Sequence, residues 1–258
     1  KAWIMDDGTA GQPAKEKLQR LVSYLVENNT PGIYVSDLAE VAWLLNIRGG
    51  DIAYNPFVIS FLYVSADGNH VMYVNEEQVS GIKDYLCGLG ISIAPYDEEL
   101  ARHNTETPVA LWKSMKNMVE QDGFRQAHVR DGVAMVRFLA RLQQAVDAGE
   151  KVTELWVDRE LTSLRAEQEG FLSLSFETIA GFAAHGAIVH YEATEETDAE
   201  ITKNGLLLLD SGAHYDCGTT DITRTIAIGE PTEEEKRVYT LVLKGHLQLQ
   251  AMHFPEGT

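Results

Sequence analysis

The chain has 258 residues, 45% hydrophobic and 23% charged, with a formal net charge of −18. That length allows one large domain or two ordinary ones, and the composition is that of a globular protein with a real core. The acidity argues against binding nucleic acid through its phosphates and against an anionic membrane surface, and no apolar stretch reaches membrane-spanning length. Solubility is the simplest reading of the charge. Two cysteines, Cys87 and Cys217, show neither metal-ligand spacing nor a disulfide framework, which fits a reducing, cytoplasmic setting. No signal peptide is visible, although the chain opens Lys-Ala-Trp rather than with Met.

Residues 1–14 contain Gly and Pro and read as a linker. Residues 15–29 place Leu18, Leu21, Val22 and Leu25 at helical spacing, and Asn28, Asn29, Pro31 and Gly32 end that helix. A strand over 33–35 leads to Ser36, a good N-cap for a helix through Val41 and Leu45. Two strand-like runs, 58–64 and 70–74, flank Ala66-Asp67-Gly68-Asn69, a hairpin signal. A helix over 76–89 and a strand over 91–94 complete a β-α-β-β-α-β order. That order predicts a small α/β domain over 15–110, with the boundary in the polar, aperiodic stretch around 102–108.

Beyond that stretch the pattern turns helical. Met135, Phe138, Leu139, Leu142 and Val146 share one face, and Thr153-Glu154 opens a further helix to about Gln168. Strand-like pieces surround 173–176 and 187–191. A last amphipathic helix over about 232–253 starts at Pro231-Thr232 with Glu233, Glu234 and Glu235 in its first turn, where the helix dipole favours acid. Its stripe, Val238, Leu241, Val242, Gly245, Leu249 and Met252, reads as core.

The chemistry concentrates in LLLLDSGAHYDCGTTDITRT, residues 206–225. An apolar run delivers Asp210 to the end of a buried strand, a turn-rich stretch follows, and 219–225 alternate as a second strand carrying Asp221. Strands joined this way can bring both carboxylates to one place, and hard oxygen ligands on rigid strands suit Mn²⁺, Mg²⁺ or Zn²⁺. From the residues alone a second reading stands beside it, in which each Asp caps a turn.

Three strings carry a family resemblance: SFETIAGFAAHGAIVHY (175–191), LLLLDSGAHYDCGTTDITRTIAIGEPT (206–232) and YTLVLKGHLQLQAMHFPEGT (239–258). They resemble the Xaa-Pro aminopeptidases, and VAWLLNIRGGDIAYNPFVISFLYV (41–64) resembles that family's second domain. The resemblance implies an α/β (α+β) chain: a creatinase N-terminal-like domain over 15–110, then the first half of a pita-bread catalytic domain over 111–258. It implies a cytoplasmic, homodimeric enzyme that removes the N-terminal residue from peptides with proline second. The implied cofactors are two divalent ions, Mn²⁺ first, with Zn²⁺ or Co²⁺ as alternatives. By matching position, Asp210 is one metal ligand, Asp221 bridges both ions, and His190 contacts substrate outside the metal shell.

The family's remaining ligands, one His and two Glu, lie beyond the string that ends at Thr258, so these 258 residues alone are expected to be inactive. His246, His253, Glu230 and Glu256 match no ligand motif, and the segment 96–113 is shorter than the family pattern. Asp216 reads as a turn residue and His185 as a loop residue. Thr223 is either a support for Asp221 or a strand filler, and Arg224 is a candidate ion-pair partner. Trp43, Asn46, Arg48 and Asn55 read as structural. Two alternatives remain: an Xaa-Pro dipeptidase with the same fold and metal logic, and a creatinase-fold protein that has lost catalysis and binds a partner.

Overall fold

The computed structural model describes residues 1–102, 106–255 and 257–258; Glu256 and part of the shortened 96–113 segment lie outside them. The opening stretch is not a linker. It forms β1 (Trp3–Ile4) and the short helix α1 (Asp7–Ala10), capped by the Asp6 carboxylate, and it buries Ala10. The sequence misled because Gly8 and Gly11 looked like breakers, whereas Gly11 is the left-handed C-cap that ends α1.

Helices α2 (Ala14–Glu27) and α3 (Leu38–Leu45) follow, separated by β2 (Gly32–Val35). The N-cap of α3 is Asp37, which accepts from the Glu40 amide, rather than Ser36. After β3 (Ile47–Arg48) come β4 (Ser60–Ser65), β5 (His70–Val74), α4 (Lys83–Gly88) and β6 (Ile91–Ala94). Strands β2, β4, β5 and β6 form one sheet in that order, antiparallel except for the β5–β6 pair. The α2 stripe, Leu18, Leu21 and Leu25, packs with Val35, Leu44, Leu62, Val64 and Met72 into one core. The expected hairpin is present, with Gly68 at φ +88° in its turn. The expected 76–89 helix shortens to α4.

Asn46, Arg48 and Trp43 are structural. Asn46 takes the left-handed C-cap of α3, and buried Lys17 donates to its side chain and to the Trp43 carbonyl. Arg48 donates to the Ala42 and Ile47 carbonyls.

Helix α5 (Pro108–Ser114) leads to α6 (Met118–Ala148) and α7 (Glu154–Ala166). Seven-residue strand β9 (Gly205–Ser211) sits between β8 (Ile179–Phe182) and β12 (Ile222–Ile228), all antiparallel. A smaller sheet joins β7 (Phe171–Leu174), β10 (Ala213–Tyr215) and β11 (Gly218–Thr219). The chain divides into two units. One comprises residues 1–132, 165–176 and 212–220; the other comprises 133–164, 177–211 and 221–258. The second unit has its own core, in which Met135, Phe138, Leu142 and Val146 of α6 meet Leu207 and Leu209 of β9. The apolar face predicted for α6 is therefore the buried one.

The last helix, α8 (Glu233–Gln250), starts with a full capping box between Thr232 and Glu235. Its stripe is not core. Val242 is 68% exposed, and none of the helix's residues is buried among the described residues. Amphipathic spacing shows which face seeks cover, and no described element supplies it.

Candidate metal centre and substrate loop

Strand β9 alternates strictly. Leu207, Leu209 and Ser211 face the core, so Leu206, Leu208 and Asp210 face the other way. Register then decides where the second carboxylate lies. Thr223 of β12 pairs with Asp210, and Asp221 stands directly before β12, two residues before Thr223, where continued alternation would turn it to the side of Asp210. A diagonal pair of this kind has Cβ atoms within roughly 7–8 Å, a span that carboxylates can bridge through one or two cations. The Thr223 hydroxyl donates to Asp210 Oδ1 at 2.8 Å, so it supports Asp210 rather than Asp221. That bond orients the carboxylate and leaves its second oxygen available. Asp210 is half-buried and Asp221 exposed. Farther along the same face, Leu206, Thr225 and Ala227 line a cavity of about 250 Å³ with Tyr239 and Thr240 of α8.

The predicted second strand is two pieces. β11 belongs to the β10 sheet, β12 to the β9 sheet, and Thr220-Asp221 lies at the break. Thr220 is pinned there. Its hydroxyl donates to Asp131 Oδ2 at 2.9 Å and accepts from the Ala213 amide at 3.0 Å. Asp216 is a turn residue, as expected, and pairs with Arg130 at 2.8 Å. Arg224 donates to its neighbour's carbonyl on Thr223.

His190 does not follow a strand. Residues Ala183–Ala187 form a 3-10 helix after β8, and His190 sits at an exposed turn with φ +54°. Apolar residues at 187–189 suggested β structure, yet Val189 is 83% exposed and projects with the tip. Beside this tip lies a cluster that sequence reasoning missed: Glu154, His185 and Tyr191. Glu154 is wholly buried, and the Tyr191 hydroxyl, the His185 ring and two backbone amides converge on it. In the sequence Glu154 reads only as part of a helix opening, and only the chain's return brings the other partners to it.

Two carboxylates, one oriented by a threonine hydroxyl and the other two residues before that threonine, fit a hard divalent cation. Among the described residues no group of three or more His, Cys, Asp and Glu is placed to hold a metal.

Residues 122–258 match the model of metallopeptidase family M24. The chain belongs to that family. Residues 1–116 match the creatinase/prolidase N-terminal domain, so the α/β architecture read from the sequence is borne out. The chain is 36% identical over 99% of its length to the "Probable Xaa-Pro aminopeptidase P" of Metarhizium acridum, covering 48% of that protein. It is 35% identical over 98% of its length to Xaa-Pro aminopeptidase 1 of Dictyostelium discoideum, covering 45% of it. The crystal structure of X-prolyl aminopeptidase from Caenorhabditis elegans, described as a cytosolic enzyme with a di-nuclear active site, superposes with a TM-score of 0.91 at 30% identity; it matches the whole chain and 48% of its own. An Xaa-Pro dipeptidase from Bacillus anthracis shares the fold at 22% identity and a TM-score of 0.65, over 91% of this chain and 70% of its own. The chain thus spans about half the length of the curated relatives it matches. No helix among the described residues is long and apolar enough to cross a membrane.

Proposed function

We propose that the full-length protein carrying this chain is a metal-dependent aminopeptidase that releases the N-terminal residue from peptides with proline in second position. The observation that carries this reading is Asp210 paired across the sheet with Thr223, two residues after Asp221, in an M24 chain about 35% identical to Xaa-Pro aminopeptidases. The dipeptidase reading rests on neighbours alike in fold alone. The non-catalytic reading is disfavoured because both carboxylates are retained.

Asp210 and Asp221 would hold two divalent ions together with ligands from outside these residues. Such ions, once bound, lower the pKa of coordinated water and supply a nucleophile at neutral pH. The chain's own contribution is geometric. Thr223 fixes the Asp210 carboxylate. His190, at its exposed turn, would donate to the substrate backbone or to developing negative charge on the scissile carbonyl oxygen. Hard carboxylate oxygens favour Mn²⁺. A cytoplasmic setting agrees with sparse cysteine and with the cytosolic C. elegans relative. A homodimer, testable by light scattering, completes the proposal.

The test is elemental analysis of the full-length protein with and without Asp221→Asn, alongside hydrolysis of an Arg-Pro-Pro tripeptide and a Gly-Pro dipeptide. About two ions per chain, loss of metal in the variant and preference for the tripeptide are expected. Unchanged metal content in the variant overturns the ligand assignment, and cleavage of the dipeptide alone makes the protein a dipeptidase.

A further inference from the structure

We propose that Glu154 is the positioning residue for the loop that carries His190, clamping the chain on both sides of that histidine. The inference deepens the aminopeptidase reading and rests on it for the role of His190.

Glu154 Oε1 accepts from the Phe182 amide at 2.7 Å and lies 3.0 Å from His185 Nδ1. Oε2 accepts from the Tyr191 hydroxyl at 2.8 Å and the Ala199 amide at 3.1 Å. Phe182 and His185 precede His190 in the chain; Tyr191 and Ala199 follow it. One carboxylate therefore gathers both arms of the loop at a single point. The point itself is rigid, because Glu154 opens α7, where the helix dipole favours negative charge, and Glu154's own amide donates to the Ala199 carbonyl.

The division between anchored and free residues falls at His190. Ile188, Val189 and His190 are exposed, and His190 holds a left-handed conformation that a non-glycine residue adopts only when its surroundings impose it. The next residue, Tyr191, is buried. Its hydroxyl bonds Glu154 and Thr197, and its ring packs tilted against His185 with centroids 4.5 Å apart. A buried residue directly beside an exposed one sets the direction in which the exposed one leaves the surface. The Glu154–Tyr191 bond is thus the shortest route by which the scaffold can fix where the His190 ring goes.

Gln at position 154 keeps the shape but replaces one acceptor oxygen with a donor, so one pair of donors loses its partner. In the full-length protein, Glu154→Gln is expected to raise amide hydrogen exchange across residues 183–199 at least tenfold, while amides of residues 134–146 in α6 stay unchanged. Bound metal should also be unchanged. On an Xaa-Pro peptide, kcat/KM should fall at least tenfold, yet by less than threefold when Glu154→Gln is added to His190→Ala, because the two act through one ring. Unchanged exchange in the loop overturns the clamp. Full multiplication of the two effects overturns the route through His190. If His190→Ala by itself leaves turnover intact, the substrate role of His190 fails, and the exchange result alone still decides the clamp. Tyr191→Phe, which removes one hydroxyl and keeps the ring, provides a milder variant with the same expected direction should Glu154→Gln fail to fold.

Discussion

Arg165→Met tests how dry the polar centre of the first unit is. The Arg165 and Asp131 side chains are both 0% exposed, with Nε to Oδ1 at 2.6 Å and Nη2 to Oδ2 at 3.1 Å. Asp131 also accepts from the Tyr215 hydroxyl at 3.1 Å and the Thr220 hydroxyl at 2.9 Å. Burial first, and the Asp131 carboxylate next, pushes the Tyr215 phenol above its ordinary range, so that hydroxyl stays a donor. Removing Arg165 strips Asp131 of two of these four hydrogen bonds and of its countercharge. Breaking a buried pair from one side costs about 3–5 kcal/mol. Two hydrogen bonds to charged groups at about 1.5–3 kcal/mol each give about 3–6 kcal/mol, which overlaps that range. Arg165 Nη1 is a buried donor without a hydrogen-bond partner, a cost the variant removes, so the lower half of that range is expected. With a urea m-value of about 2 kcal/mol/M, the midpoint falls by roughly 1.5–2 M. Urea unfolding followed by far-UV circular dichroism reads this, with the two units fitted as separate transitions. Adding Asp131→Asn to Arg165→Met should recover about 2 kcal/mol, since the stranded charge is then gone. A cost under about 1 kcal/mol for Arg165→Met would refute the reasoning, because that is the value of a solvated surface pair.

Two further outcomes follow from local geometry. His70 is buried and its Nδ1 accepts from the Ser65 amide at 3.2 Å; burial holds its pKa below the ordinary value despite the nearby Asp67. The unfolded state therefore binds the proton first, so stability is fully present above about pH 6.5 and declines as pH falls towards the folded value; His70→Gln should flatten that decline in thermal melts between pH 7 and 5, and an unchanged slope would assign it to other groups. A Cβ on Gly123 of α6 would lie 2.3 Å from the Cys217 carbonyl oxygen, whereas one on Gly132 of the same helix meets open space; Gly123→Ala should cost about 1–3 kcal/mol and Gly132→Ala should gain about 0.5–1 kcal/mol by thermal unfolding, and equal effects would contradict the close approach at Cys217.

The sequence by itself determined the elements whose residues speak through period and punctuation. Helix α2, the β4–β5 hairpin, the buried face of α6 and strand β9 ending at Asp210 were legible because apolar spacing and turn chemistry are local properties. Three long strings also carried the family, and the α/β domain order with it. Tertiary structure decided what depends on distant partners. Thr223 serves Asp210 because strand register stands it opposite that residue, and no spacing rule contains that pairing. Residues 187–189 are apolar and project outward, because the Glu154 clamp and buried Tyr191 hold the chain's two arms while the tip is left free. Gly8 and Gly11 resemble linker residues until α1 forms, with Gly8 inside it and Gly11 as its cap. Asp131, Arg165 and Glu154 read as ordinary helix charges, since a buried carboxylate is recognisable only from the donors that converge on it, and those come from residues up to 89 positions away.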